Sequence, residues 1–156
     1  MSKSLSRVRG HIEALGLETE IIEMPSSTRS AAEAASSVGC ELDQIVKSIL
    51  FLGMETNRLV LFLTAGGNRI DPDAAGQCAG QSLGRADADR IRQETGFAIG
   101  GVSPFGHLAP IQSFLDPRLM EFDLVWAAAG TPRHVFSLRP QDLLQATGAD
   151  LADFTD

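Results

Sequence analysis

A chain of 156 residues, 44% hydrophobic and 21% charged, is sized for one domain with its own core and too short for two. Thirteen basic against twenty acidic residues give a formal net charge of −7, which excludes a protein that wraps long nucleic acid, DNA included, since that affinity comes from neutralising phosphates. No apolar run approaches the roughly 18–20 residues of a membrane span, and no signal-like stretch opens the chain. Two distant cysteines and three scattered histidines lack metal-ligand spacing, so a cytoplasmic protein with reduced thiols, no metal and no cofactor is expected.

Leu5, Val8, Ile12 and Leu15 recur at helical spacing with Gly16 beyond them, predicting an amphipathic helix over 4–15. A short strand over 19–24 stops at Pro25; Ser26, Ser27 and Thr28 then offer capping hydroxyls to an alanine-rich helix over 29–38, ended by Gly39. Residues 44–52 read as a strand with Ile45, Lys47, Ile49 and Phe51 on one side and Val46, Ser48, Leu50 and Leu52 on the other. Both sides are apolar apart from one charge. Such a lysine reaches past an edge to water, finds a partner, or lies at the floor of a pocket. A turn at 55–57 leads into 58–64, the natural antiparallel partner.

Asp71-Pro72 starts a helix and 87–95 forms another, stopped by Gly96, while 76–84 carries little pattern. Residues 97–106 read as a short strand running into a loop with Gly100, Gly101, Pro104 and Gly106, a composition that lets backbone N–H groups approach a ligand. Strands follow over 111–115, 124–128 (with the sole tryptophan, Trp126) and 134–138. Asp116-Pro117 opens a turn or short helix, Gly130-Thr131-Pro132 a turn, and 140–146 a last helix before an acidic tail expected to be loosely held. Strands joined by short turns favour antiparallel pairing, so the expected fold is α+β: a single domain over 1–156 with a mixed, mainly antiparallel, curved sheet covered by about four helices.

Three features are candidates for one site: Lys47, the Gly100–Gly106 loop with Ser103, and the turn from Gly130 through Thr131, Pro132 and Arg133 to His134. Taken one at a time, a Gly-Pro loop is usually a turn and a lone histidine at a strand start is usually packing. In this order, together with Thr28 ahead of Ala34-Ala35 and the Gln44-Ile-Val-Lys47-Ser-Ile-Leu stretch, they resemble the YbaK/prolyl-tRNA synthetase-associated domain family over nearly the whole chain.

The resemblance implies a compact α+β domain that hydrolyses an amino acid wrongly esterified to tRNA, usually tRNA(Pro). It implies as partners the aminoacyl-tRNA acceptor end and prolyl-tRNA synthetase, with no membrane. Lys47 matches the residue most closely tied to activity, and Gly101, Ser103 and Pro104 match a loop lying over the scissile ester. With His134, Lys47, Gly101 and Ser103 form the expected catalytic set, and Thr28, Pro104, Phe105, Gly106 and Gly130 the substrate-binding set. The helix motifs and C-terminal turn depart from the cysteine-specific YbaK branch, leaving the amino acid open.

Such chemistry suits these residue types. Ester hydrolysis builds negative charge on the carbonyl oxygen, which preorganised backbone N–H groups stabilise, and a lysine can hold a terminal phosphate or assist a water. Two other readings stand beside it: a hydrolase with Ser103 as nucleophile and Lys47 as base, which the absence of a Gly-x-Ser-x-Gly pattern disfavours, and a non-catalytic module binding a ligand or a synthetase. Arg7, Arg9 and Arg133 are the basic groups expected nearest the RNA.

Overall fold

The elements of the computed structural model, which describes residues 2–26 and 28–156, are in chain order α1 (Lys3–Ala14), β1 (Ile22–Glu23), α2 (Ala31–Val38), β2 (Val46–Gly53), β3 (Leu59–Ala65), α3 (Pro72–Ala79), β4 (Leu83–Arg85), α4 (Ala88–Thr95), β5 (Gln112–Leu115), β6 (Val125–Ala128), β7 (His134–Leu138), α5 (Pro140–Thr147) and β8 (Asp150–Leu151). Single 3-10 turns lie at Leu42–Gln44 and Pro117–Glu121. The architecture is mixed α+β. Five strands run in the order β4-β2-β3-β5-β8 and three in the order β1-β7-β6, joined by one parallel bridge between Ile45 and Trp126. Pairing is antiparallel except for β3–β5 and β5–β8.

Strand β3 explains the layering. All seven of its residues are buried, because an uninterrupted apolar run presents one core on each face. Leu59, Leu61, Leu63 and Ala65 meet Leu5, Val8 and Ile12 of α1 together with Phe97, Phe105 and Phe136. On the opposite face Val60 and Phe62 meet Ala75 of α3, Phe114 of β5 and Phe154. The β2–β3 hairpin is in full register from Val46↔Ala65 to Leu52↔Leu59, and Asn57 takes the left-handed conformation (φ 59°) its turn requires.

Several boundaries differ from the sequence reading, each for a local reason. Helix α2 is capped by Ser30, whose Oγ accepts from the Glu33 amide at 3.1 Å, rather than by Ser26 or Thr28; Ser27 lies outside the described residues. The first strand shrinks to Ile22–Glu23, since only those residues pair with Val135 and His134 of β7. No strand forms at 97–106: the Thr95 hydroxyl accepts the Phe97 amide at 3.0 Å and the Gly101 amide donates to the Ala98 carbonyl at 3.0 Å, so local turns satisfy the backbone. The patternless 76–84 stretch ends α3 and supplies β4.

The acidic tail is held, contrary to expectation. Strand β8 pairs in parallel with β5, Thr155 bridges to Ile70, and the Phe154 ring is fully buried edge-on to Phe62 at 4.9 Å. One aromatic residue outweighs the surrounding carboxylates, because burying a phenyl ring is worth about 1.5–3 kcal/mol while exposed aspartates cost nothing.

Candidate active site

Strand β2 is flanked by β3 along its whole length, but on its other edge it meets β4 only at Phe51–Gly53 and β6 only through the Ile45–Trp126 bridge. Between those contacts the edge has no strand beside it among the described residues. A cleft of about 450 Å³ lies here, a volume suited to a small-molecule group, with Lys47 and Ser48 on one wall. The N-terminal turn of α2 with Thr28 and Arg29 forms a second wall. Ile99, Gly100 and Val102 form a third, and Thr131, Pro132 and His134 a fourth. Its floor is apolar: Met24, Ala34, Ile45 and Val135 belong to one buried cluster edged by Trp126.

Lys47 is half-buried, and its ammonium donates to the Asn68 carbonyl at 2.7 Å. That carbonyl is held by a clamp. Asp116, 3% exposed, accepts from the Ala65 amide at 3.1 Å and from Asn68 Nδ2 at 2.9 Å, which fixes the turn after β3. Gly66 is required there, because a Cβ would run into the Leu42 carbonyl. Burial pushes the Lys47 pKa below its ordinary value, and the carboxylates of Asp116 and Asp43 pull the other way. A lysine uses one N–H on Asn68 and keeps two for a ligand. Beside it, the Ser48 Oγ is buried and makes no hydrogen bond.

His134 stands across the cleft at the start of β7. Its Nδ1 lies 2.6 Å from Thr131 Oγ1, and its Nε2 lies 4.0 Å from a Glu23 carboxylate oxygen. Glu23 in turn takes the Arg133 guanidinium at 2.8 Å, so Arg133, expected to face RNA, is already neutralised by an ion pair. Arg29 on the cleft rim has no such partner among the described residues.

The glycine-rich loop divides in two. Gly100 and Val102 line the cleft, and their amides make no hydrogen bond among the described residues. Gly101 lies behind them: its amide is used on Ala98, and a Cβ would come within 2.7 Å of the Thr131 backbone, so the glycine lets the loop pack against the 130–132 turn. Gly130 is buried with φ +96°, and a Cβ there would meet the Ser4 carbonyl at 2.7 Å. Ser103 is fully buried and outside the cleft, with its Oγ 3.4 Å from the Phe105 amide and its carbonyl 2.7 Å from His107 Nε2. Pro104, Phe105 and Gly106 border a separate depression with His107, Leu108 and Pro110.

Of the residues expected from sequence, the structure therefore brings together Lys47, Thr28 and His134, with Gly101 and Gly130 supporting the walls. Ser103, Pro104, Phe105 and Gly106 lie outside the cleft, and Ser103 is fully buried. Arg29, Ile99 and the apolar floor are not among the residues expected from sequence, whereas Gly100 and Thr131 lie within the loop and the turn singled out there. Only the sole tryptophan in a short strand and the Gly-Thr-Pro turn could have signalled part of that set.

Residues 25–146 match the model of the aminoacyl-tRNA editing domain. The chain belongs to that family. The protein "YwhH" of Bacillus subtilis (strain 168) is 31% identical over 140 residues, 90% of this chain and 88% of that one. "Putative Cys-tRNA(Pro)/Cys-tRNA(Cys) deacylase EbsC" of Enterococcus faecalis (strain ATCC 700802 / V583) is 24% identical over 127 residues, 81% of this chain and 77% of that one. Among solved structures, a "putative trans-editing enzyme for prolyl tRNA synthetase" superposes with a TM-score of 0.93 at 45% identity, covering 100% of this chain and 99% of that one. The mixed α+β fold of this editing domain is thus shared along the entire chain. No helix among the described residues is long and apolar enough to cross a membrane.

Proposed function

We propose that this editing domain hydrolyses the ester joining a small amino acid to the 3′ end of a tRNA, with tRNA(Pro) as the acceptor and prolyl-tRNA synthetase as the enzyme whose errors it removes. The observation that carries the reading is Lys47, with two N–H donors to spare, in the wall of an open cleft with an apolar floor. A lysine kept only for structure would be expected in an ion pair; this one bonds to a carbonyl and faces the opening. That arrangement favours the enzyme over the non-catalytic module.

In the proposed reaction water adds to the ester carbonyl, the bond to the ribose oxygen breaks, and the proton from water ends on that oxygen, releasing the free amino acid and the tRNA 3′-hydroxyl. Negative charge on the former carbonyl oxygen is met by the unbonded amides of Gly100 and Val102, a contribution of a few kcal/mol at most. Lys47 positions the substrate through the N–H donors that its bond to the Asn68 carbonyl leaves over. His134, held by Thr131, orients the terminal ribose or the attacking water. The apolar floor receives the amino-acid side chain.

The test is a deacylation panel with the purified chain on Ala-, Ser-, Cys- and Thr-tRNA(Pro). Release of the smaller amino acids by wild type and not by Lys47→Ala is expected. Binding of tRNA without release of any amino acid would give the module reading the field.

A further inference from the structure

The chain carries a net charge of −7, yet the reading above requires it to hold an RNA end, so the cations at the cleft decide how. Arg133 is spent on Glu23. Arg7 donates to the Gly96 carbonyl at 2.8 Å and lies over the Phe97 ring at 4.6 Å, which fixes it as a packing element of α1. Arg90, Arg118 and Arg139 are each paired with a carboxylate. Arg29 differs from all of these: it is exposed, borders the cleft, and has no hydrogen bond or ion pair among the described residues. It precedes the Ser30 cap of α2, so the positive end of that helix adds to its field, and Glu33 of the first turn is engaged by the Ser30 hydroxyl, which donates to its Oε1 at 3.1 Å.

We infer that Arg29 grips the phosphate linking the terminal nucleotide of the substrate to the one before it, while the esterified amino acid enters toward Lys47. The inference rests on the proposed function of the cleft and adds to it a phosphate subsite on the rim. An unpaired guanidinium is suited to this, since its planar fork matches two phosphate oxygens and it is charged at every physiological pH. The subsite separates two tasks. Lys47, in the interior, senses the reacting end; Arg29, on the rim, tells an ester carried on a nucleic-acid strand from a free amino-acid ester. With one such contact on a single strand, binding should weaken only mildly with salt, by a slope of about −0.7 for that phosphate.

The experiment has two arms. In the first, wild type, Arg29→Ala, Arg29→Lys and the control Arg92→Ala are titrated with an uncharged hairpin RNA ending in a single-stranded CCA, by fluorescence anisotropy at two salt concentrations. Arg29→Ala is expected to bind about fivefold more weakly and to lose about 0.7 from the salt slope, Arg29→Lys to recover most of the affinity, and Arg92→Ala to match wild type. In the second arm, kcat and KM for alanyl-tRNA(Pro) are measured, with the loss in Arg29→Ala falling on KM. Unchanged affinity and slope in Arg29→Ala, or a loss shared equally by Arg92→Ala, overturns the subsite whatever the deacylation result. Absence of deacylation by wild type overturns the proposed reaction and leaves the binding arm to judge Arg29 alone.

Discussion

Two small apolar clusters flank the sheet, and they are closed to different degrees. Under α3, Phe62 stacks on Phe114 at 5.4 Å and meets Phe154 edge-on at 4.9 Å, with Phe51 a third neighbour at 5.7 Å. Under α2, the equivalent layer is built from Ala34, Ala35, Met24, Ile45 and Val135. Rings fill the first, whereas alanines leave the second short of volume, and the shortfall is the cleft beside Lys47. The same chain therefore makes a core where it packs Phe51, Phe62, Phe114 and Phe154 together and a site where a single ring, Trp126, edges a floor of smaller residues. Apolar patterning alone does not separate the two cases; side-chain volume does.

The largest expected effect breaks the closed cluster. Phe154→Ala removes a fully buried ring and should cost about 3–5 kcal/mol in urea unfolding, because the neighbours cannot collapse into the space. A cost under about 1 kcal/mol would mean that the tail is loosely held after all, and that the two clusters do not differ in the way described.

Next comes the open cluster's single charge. Lys47→Ala should lower deacylation by at least about a hundredfold, roughly 2.7 kcal/mol of barrier, while urea midpoints stay near wild type. The fold tolerates the change because the side chain is half-buried and the bond it gives up leaves only one carbonyl, reachable by water from the cleft. Activity within threefold of wild type would remove Lys47 from the mechanism.

Filling the open cluster is the third and smaller perturbation. Ala31 lines the cleft at the first turn of α2, half-buried, and leucine has nearly the helix propensity of alanine. Ala31→Leu should slow deacylation about tenfold, near 1.4 kcal/mol, by occupying the space for the amino-acid side chain, with stability unchanged or slightly raised. A destabilisation of about 1–3 kcal/mol, the usual result of overpacking, would show that this layer is as full as the other.

Much of this contrast was legible in the residue order, and the remainder was not for physical reasons. Period-two patterning placed β2, β3 and the β6–β7 pair to within two residues, because apolar alternation reports directly on which faces are buried. It could not foresee that β2 has an open edge, since neighbours along a strand edge are set by long-range pairing. Phe154 was overlooked because carboxylates surround it. Lys47 stood out as a charge in an apolar strand; Arg29 did not, as its significance lies in lacking a partner, and partners such as Glu23 for Arg133 come from 110 residues away. The Gly100–Gly106 stretch was read as one loop over the substrate, yet the chain turns at Gly101, so Gly100 and Val102 face the cleft while Ser103 to Gly106 pack behind it.

The smallest expected effect concerns what holds that wall from behind. His107 donates its Nε2–H to the Ser103 carbonyl at 2.7 Å, the one tautomer that this acceptor allows. Burial lowers the His107 pKa from its ordinary value of 6.5; the Ser103 bond opposes this, and the nearby charges of Arg7 and His11 reinforce it. The folded protein thus binds fewer protons than the unfolded chain just below pH 6.5, so stability is full above that value and is lost as pH falls from about 6.5 to the depressed pKa. Below the depressed pKa this contribution changes no further. His107→Gln keeps an amide N–H for Ser103 and removes the titration. Melting temperatures of both proteins between about pH 7.5 and pH 5 should therefore converge as pH falls, the wild type losing its lead on the acid side. The closed cluster has no titratable group in its core, so Phe154→Ala should leave the pH profile parallel to wild type. A His107→Gln profile also parallel to wild type would show that the cleft wall is no more sensitive to protons than the aromatic layer opposite.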